Sequence, residues 1–287
     1  MNSQLRQTID LVVQGLEIGT PELKELAKLA AAEGIEALSR AETQAFRLVR
    51  TTNQDRVAQF CAAAGFDCGF VPATQRLERV RLVAMDMDST LISIECVDEI
   101  ADMLGIKPQV AAITERAMRG EIDFAQSLTH RVALLAGLDV AALERVYNER
   151  LRLSPGAERM LAGFRAVGAQ TLLVSGGFTF FTQRLRTRLA LDHTLANVLE
   201  VRDGRLTGRI EGRIVDAQAK ADAVERLGRS FAGDDGLVVA IGDGANDLPM
   251  LEKANISIAY RAKSVVRAKT TYAINHCGLD AVLNLFH

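Results

Sequence analysis

Three short apolar runs constrain most strongly what this chain can fold into, because each ends at a polar or glycine-rich turn. They are VRLVAM at 80–85, TLLV at 171–174 and LVVAI at 237–241. Apolar strands that alternate with helical patterns are typical of a parallel sheet that helices cover on both faces. We therefore predict an α/β core with these three strands, and with further strands at 256–259 and 272–275.

The chain between the first two runs is too long for one crossover helix, because more than 80 residues separate them. Its 96–150 stretch has a helical pattern with three glycine-containing breaks. We therefore predict a helical insertion at about 94–154, made of three or four helices. Farther along, Asp203-Gly204 stands between extended runs at 198–215, which favours a β-hairpin there.

The first 79 residues differ from the rest, with two helical patterns among four extended segments. The extended segments are 8–15, 35–41, 44–51 and 67–73, and the helical ones are 20–33 and 53–64. Thr20 is the predicted N-cap of the first helix, Pro21 its first helical residue, and Asn53 the start of the second helix. The β-α-β-β-α-β order predicts a small α+β ferredoxin-like module of about 75 residues.

Composition limits the class of protein. The 287 residues suggest about two domains, and a formal net charge of −2 gives no support to nucleic-acid binding. The sequence contains no run of about 18 apolar residues, so we expect no membrane-spanning helix, and we recognise no signal peptide. The four cysteines lack the spacing of zinc ligands. We therefore expect a cytoplasmic protein with reduced thiols that binds neither nucleic acid nor membranes.

Polar residues follow all three apolar runs. DMDST at 86–90 follows the first run, SGG at 175–177 the second and GDGAND at 242–247 the third, while Lys220 precedes the third. In an open parallel sheet, ligands bind where the carboxyl ends of neighbouring strands meet. Several carboxylates without a nearby His or Cys favour a hard cation, and Mg²⁺ fits such an oxygen-only site. Together with a hydroxyl, an ammonium and glycine N–H groups, these residues suit a phosphoryl group.

These four motifs, in this order, resemble those of the haloacid dehalogenase-like phosphatase superfamily. The resemblance extends to its phosphoserine phosphatases of the bacterial SerB type and covers residues 80–287. It is close in AMRGEIDFAQSLTHRVALL (117–135) and in GRIVDAQAKAD (212–222). Residues 1–79 match more loosely, as an ACT-like domain. The implied fold is α/β, a Rossmann-like parallel-sheet core with a helical cap insertion, preceded by that small α+β domain.

The resemblance implies a covalent reaction. Asp86 would be the nucleophile that takes the phosphoryl group, and Asp88 would protonate the leaving oxygen and then activate water. Mg²⁺ would be held by the side chains of Asp86 and Asp243 and by the backbone carbonyl of Asp88. Asp247 would orient the groups around the metal.

The remaining implied residues bind the substrate. Four of them would contact the phosphoryl group: Ser175, Gly176, Lys220 and Asn246. The substrate would be a small zwitterion, with Glu95 binding its ammonium and Arg131 its carboxylate. Met118 and Phe124 would shield the site from water. The implied activity is the Mg²⁺-dependent hydrolysis of O-phospho-L-serine, the last step of serine biosynthesis.

Two other functions remain open at this point. A phosphotransferase would pass the phosphoryl group to an alcohol such as homoserine, and the same motifs would serve it. An amino-acid sensor with an inactive phosphatase domain is disfavoured by the intact set of Asp86, Asp88, Ser175, Lys220 and Asp243. Because ACT-like domains often pair edge to edge, the resemblance also allows a homodimer.

Overall fold

The computed structural model describes residues 9–287. Its N-terminal part has the predicted β-α-β-β-α-β order, and Thr8 of the predicted first strand lies outside the described residues. The elements are β1 (Ile9–Gly15), α1 (Thr20–Leu29), β2 (Gly34–Leu38), β3 (Gln44–Val49), α2 (Val57–Ala64) and β4 (Asp67–Pro72). The strands form an antiparallel sheet in the order β2-β3-β1-β4. We call this part the N-terminal unit.

Both predicted helix starts in this unit are wrong. Gly19, not Thr20, is the N-cap of α1, and it has no side chain to cap the helix. The second helix starts at Val57 because Arg56 has a left-handed conformation, with φ 61°. The Asn53 side chain instead accepts a hydrogen bond from Asp55 N, at 3.0 Å, and so closes a turn before the helix.

A seven-stranded sheet follows, in the order β11-β10-β9-β5-β6-β7-β8. Its strands are β5 (Val80–Met85), β6 (Gln170–Phe178), β7 (His193–Arg202), β8 (Arg205–Glu211), β9 (Leu237–Gly242), β10 (Ile256–Tyr260) and β11 (Tyr272–Ile274). All neighbouring pairs are parallel except β7 and β8, which form the predicted hairpin. The predicted parallel core is confirmed.

Helices cover both faces of this sheet. They are α7 (Ala157–Ala166), α8 (Thr179–Leu189), α9 (Ala217–Phe231), α10 (Leu248–Leu251) and α11 (Ser264–Arg267). Along β5, Leu82 and Ala84 pack in one apolar cluster while Val83 and Met85 pack in another. This alternation explains why the strand is apolar on both faces. Across residues 9–287, no helix is both long and apolar enough to cross a membrane.

The long insertion after β5 is helical, as predicted, and we call it the cap. It contains α3 (Cys96–Met103), α4 (Lys107–Met118), α5 (Phe124–Ala133) and α6 (Ala141–Arg145), which continues as a π-helical turn over Val146–Arg150. The chain enters and leaves the cap side by side, because Ile92 and Leu153 form an antiparallel bridge. The cap also contacts the hairpin, where Gly137 N donates to Leu206 O at 2.8 Å.

Candidate active site

One pocket of about 560 Å³ lies between the cap and the carboxyl ends of β5, β6 and β9. These three strands are neighbours in the sheet, so the loops that follow them meet. Eleven of the twelve predicted site residues line the pocket: Asp86, Asp88, Glu95, Met118, Phe124, Arg131, Ser175, Gly176, Lys220, Asp243 and Asn246. The twelfth, Asp247, is fully buried and contacts Lys220.

Asp86 and Asp88 both line the pocket, just after β5 ends. Asp86 has φ −70° and ψ 162°, and Asp88 has φ −68° and ψ 138°. Met87, between them, packs in the apolar core and is fully buried. Ser89 then adopts a left-handed conformation, with φ 55°, and turns the chain toward the cap.

Lys220 joins two of the carboxylates. Its ammonium pairs with Asp86 and, at 2.8 Å, with Asp247. Burial lowers the pKa of Lys220, but the two carboxylates outweigh burial and hold that pKa above its usual value, so the ammonium stays charged. Burial, followed by the charge of Asp247, raises the pKa of Asp86 well above its usual value. One buried cation therefore does not neutralise this group of carboxylates.

Asp243 and Asp247 each accept a hydrogen bond from a nearby residue. Thr90 Oγ1 donates to Asp243 Oδ1 at 2.9 Å, and Gly244 N donates to Asp247 Oδ2 at 3.0 Å. Oxygens of Asp86, Asp243 and Asp247 lie within 4.8 Å of one another. Burial, followed by the charge of Asp247, raises the pKa of Asp243 to about 6. Such a crowded oxygen-only cluster is what a hard divalent cation stabilises.

Asp88 is held at the base of the cap. Its Oδ1 accepts a hydrogen bond from Cys96 N, at 2.9 Å, where α3 begins. Burial, followed by the charge of Glu95, raises the pKa of Asp88 to about 7. This carboxyl group can therefore exchange a proton near neutral pH, unlike an exposed aspartate.

The loop after β6 contributes a hydroxyl. Ser175 is 1% exposed, and its Oγ accepts a hydrogen bond from Gly177 N at 2.8 Å. Its own hydrogen remains available to donate into the pocket. A Cβ atom at Gly177 would lie 3.0 Å from Asp88 Oδ2 and from Ser175 Oγ, so the loop packs this closely only as glycine.

The cap forms the opposite side of the pocket. Glu95 is exposed, and its Oε1 accepts a hydrogen bond from Ser89 Oγ at 2.6 Å. Arg131 is half-buried on α5, and its Nε donates to Ser127 O at 3.4 Å. One anionic and one cationic side chain thus face the same space, which suits a zwitterion.

Two apolar cap residues differ in exposure. Phe124 lies over the β6 loop, since a Cβ atom at Gly176 would lie 2.8 Å from the tip of its ring. Met118 lines the pocket yet is 71% exposed. Hence only Phe124 covers the loop closely in this conformation.

The pocket has two sides, which we call the floor and the cap wall. The floor of the site is Asp86, Asp88, Ser175, Lys220, Asp243 and Asp247. The cap wall is Glu95, Met118, Phe124 and Arg131.

Several supporting residues have no assigned role in the sequence analysis. Ser89 and Thr90 lie inside the DMDST motif, so the motif itself was the available signal. Cys96 acts through its backbone N–H, which no residue type reveals. Asn197, on β7, donates to Gly176 O at 2.8 Å and is 1% exposed. Its only sequence signal is an amide in an otherwise apolar strand segment, where asparagine is depleted.

Comparison with protein families matches residues 83–252 to the haloacid dehalogenase-like hydrolases. Residues 11–58 match a family described only as a domain of unknown function. The chain is 52% identical over 215 residues to a phosphoserine phosphatase of a Polaromonas species, which covers 73% of this chain and 91% of the relative. It is 48% identical to a phosphoserine phosphatase of Albidiferax ferrireducens, over 76% of this chain and 94% of the relative.

Solved structures resemble the whole fold. A haloacid dehalogenase-family hydrolase from Salmonella enterica superposes with a TM-score of 0.87 at 33% identity, covering 98% of this chain and 99% of that one. A probable phosphoserine phosphatase from Vibrio cholerae superposes with a TM-score of 0.82 at 34% identity, covering 98% and 86%. The similarity therefore includes the N-terminal unit as well as the core and cap.

Proposed function

This chain belongs to the haloacid dehalogenase-like hydrolases, and from that premise we propose that it hydrolyses O-phospho-L-serine to L-serine and inorganic phosphate. One observation carries the proposal: five of the six floor residues, all but Asp247, line the same pocket as the charged pair Glu95 and Arg131. The phosphoserine phosphatases that are 52% and 48% identical to it support the same substrate. Such a reaction would be the last step of serine biosynthesis.

The acidic cluster fits Mg²⁺ by its charge and its donor atoms. Three carboxylates (Asp86, Asp243 and Asp247) face one ammonium, which leaves two negative charges uncompensated when all three are ionised. We propose that the side chains of Asp86 and Asp243 and the backbone carbonyl of Asp88 hold the ion. Both oxygens of Asp247 already accept hydrogen bonds, so it would orient its neighbours. Bound Mg²⁺ would neutralise phosphoryl charge as a Lewis acid.

Asp86 is the proposed nucleophile. Its carboxylate oxygen would form a bond to phosphorus while the bond from phosphorus to the serine oxygen breaks, giving an aspartyl phosphate. Its contact with Lys220 fixes the carboxylate in the pocket. Water would then attack phosphorus, which releases phosphate and restores the Asp86 carboxylate.

Asp88 is the proposed acid and base. A pKa of about 7 leaves much of this carboxyl protonated at neutral pH, as donation to the departing serine oxygen requires. The resulting carboxylate can then take the proton of the attacking water. The hydrogen bond from Cys96 N holds one oxygen and leaves the other for proton transfer.

The phosphoryl oxygens have donors on two sides. Ser175 would donate its hydroxyl hydrogen and Lys220 its ammonium, and Gly176 would offer close access to the backbone. Asn246 lines the same pocket on an exposed loop and can donate through its side-chain amide. These donors would stabilise the charge that develops in the transition state.

The cap wall would read the amino acid. Glu95, oriented by Ser89, would pair with the ammonium, and Arg131 would pair with the carboxylate through its planar fork. Phe124 over Gly176 would exclude water from the phosphorus. Met118 is exposed in this conformation and would complete the cover by moving over the substrate.

We also propose the domain limits at 1–79 for an ACT-like domain and 80–287 for the phosphatase domain, with the cap at about 94–154. The four-stranded antiparallel sheet with two helices supports an ACT-like domain. Edge-to-edge pairing of such domains would give a homodimer.

A phosphatase panel tests the proposal. Purified protein is incubated with L-phosphoserine, D-phosphoserine or phosphothreonine, with and without Mg²⁺, and inorganic phosphate is measured. We expect L-phosphoserine with Mg²⁺ to give the highest kcat/KM. Equal rates on all three substrates would contradict recognition by the cap wall. A further reaction with added homoserine separates hydrolysis from transfer, because phosphohomoserine in place of inorganic phosphate would show a phosphotransferase.

A further inference from the structure

Asn197 is buried on β7 outside the pocket lining, yet its side chain bonds to the loop that carries Ser175. We infer that Asn197 is a positioning residue that aims the Ser175 hydroxyl at the phosphoryl group and ties this loop to the helix of Lys220. The inference rests on the proposed phosphoryl transfer, but it does not depend on which phosphomonoester is the substrate.

The Ser175 loop is a bulge in β6. Pairing with β7 runs from Leu172 to Val174, stops, and resumes where Phe178 is opposite Asn197. Residues 175–177 are opposite Ala196 alone on β7. Their backbone groups therefore do not all form hydrogen bonds with β7. Asn197 Nδ2 supplies the missing donor to Gly176 O at 2.8 Å.

This bond fixes a peptide plane that leads to Ser175. The carbonyl of Gly176 and the N–H of Gly177 belong to one planar trans peptide unit and point in opposite directions. Since Asn197 holds the carbonyl, the N–H is aimed the other way, where it donates to Ser175 Oγ at 2.8 Å. That donation fills a lone pair of the hydroxyl and turns its hydrogen away, toward the pocket.

The other end of the same amide holds a second segment. Asn197 Oδ1 accepts a hydrogen bond from Val215 N at 2.7 Å. The next residue, Asp216, is the N-cap of α9, and its Oδ1 accepts from Ala219 N at 2.8 Å. Lys220 follows on α9, so one side chain links the two segments that supply Ser175 and Lys220.

Only an amide fits both contacts. Asparagine offers a donor and an acceptor at the end of one short side chain, whereas aspartate offers acceptors alone and leucine neither. In Asn197→Asp the bond from Val215 N can remain, but a carboxylate oxygen would face Gly176 O. The substitution therefore removes the contact to the Ser175 loop and keeps the side-chain volume.

A double-mutant cycle on p-nitrophenyl phosphate tests the inference. Asn197→Asp, Ser175→Ala and the double variant are compared with the parent protein in Mg²⁺, and kcat/KM is measured. We expect Asn197→Asp alone to lose about 10- to 100-fold, as is typical of residues that orient a site. In Ser175→Ala protein, adding Asn197→Asp should lower kcat/KM less than about threefold, because the hydroxyl that Asn197 positions is already absent. Independent, multiplying losses would overturn the inference.

Folding and substrate identity are controlled separately. Asn284 is another fully buried asparagine, which donates to Gln14 Oε1 at 2.9 Å and does not line the pocket. Asn284→Asp therefore reports the cost of a buried charge and a lost donor outside the site. Asn197→Ala runs through the same cycle if Asn197→Asp does not fold. L-phosphoserine is measured in parallel: its loss should equal that on p-nitrophenyl phosphate. Parent protein active on p-nitrophenyl phosphate alone would contradict the proposed substrate and leave the cycle readable.

Discussion

The two sides of the pocket are built differently. Most floor residues lie near the ends of strands in the middle of the sheet, and Lys220 lies on α9. The side chains of Asp86, Ser175, Lys220 and Asp247 are each at most 5% exposed. Wall residues sit on the inserted helices, where Met118 is 71% exposed.

This difference suits a division between residues for phosphoryl transfer, on the floor, and residues for substrate selectivity, on the wall. Buried, mutually bonded charges stay in place without the substrate, and in the proposed mechanism they act on the phosphoryl group that all phosphomonoesters share. Exposed side chains on an insertion can move and can change without disturbing the sheet. We therefore expect floor substitutions to affect all substrates, equally except at Asp88, whose effect depends on the leaving group, and wall substitutions to affect phosphoserine selectively.

The largest effect is expected for the nucleophile on the floor. Asp86→Asn should abolish steady-state phosphate release from both L-phosphoserine and p-nitrophenyl phosphate, because an amide cannot take the phosphoryl group. Thermal unfolding should show a folded protein. Asp203→Asn is the matched control, since it makes the same chemical change in a hairpin turn that accepts Asn-Gly. Turnover retained in Asp86→Asn would contradict the covalent route.

A wall substitution should be large but selective. Arg131→Ala should lower kcat/KM for L-phosphoserine about 100-fold, as losing one partner of a desolvated charge pair costs about 2–3 kcal/mol. The loss on p-nitrophenyl phosphate, which has no carboxylate, should stay below about threefold. Arg150→Ala is the control, because Arg150 pairs with Glu99 and Asp102 outside the pocket. Equal losses of kcat/KM on both substrates would contradict recognition of the serine carboxylate by Arg131.

The pH profile separates the two substrates without any mutation. Asp88 donates as an acid only while protonated, so kcat/KM for L-phosphoserine should fall up to tenfold per pH unit above about 7, its pKa. p-Nitrophenolate leaves without needing a proton, so its alkaline decline should be shallower. Initial rates from pH 5 to 10 in constant Mg²⁺ give both profiles. Superimposable profiles would show that Asp88 is not the acid.

The smallest effect belongs to the exposed wall residue. Met118→Ala should raise KM for L-phosphoserine less than about threefold, because Met118 is 71% exposed before the cap closes and only completes a cover that Phe124 already provides. Phe124→Ala provides the comparison and should cost more, since its ring packs over Gly176. A larger loss at Met118 than at Phe124 would mean that the cap closes much further on substrate.

Much of the floor could be predicted from sequence, because its residues follow apolar strands whose ends must meet in a parallel sheet. Asp86, Ser175 and Asp243 therefore lie together, as the motifs predict. The supporting bonds were not predictable in this way. Asn197 reaches Gly176 only through the bulge in β6, and Cys96 reaches Asp88 through a backbone N–H that every residue but proline has.

The errors have a similar physical origin. Both helix starts in the N-terminal unit were set by backbone conformation instead of by the capping residues present: Arg56 is left-handed, and Gly19 takes the N-cap position before Thr20. Capping preferences amount to about 1 kcal/mol, so the way the turn joins its neighbouring strand can override them.

The most direct test asks where the phosphoryl group goes. Asp88→Asn protein is mixed with Mg²⁺ and p-nitrophenyl phosphate, whose leaving group needs no proton, then quenched in acid and digested, and the phosphorylated peptide is identified by mass spectrometry. Because the variant lacks its base, it should accumulate the intermediate. We expect the phosphoryl group on the peptide that contains Asp86, and no phosphorylated peptide from Asp86→Asn protein. A phosphoryl group found on any other residue, or equal labelling of Asp86→Asn protein, would contradict the mechanism.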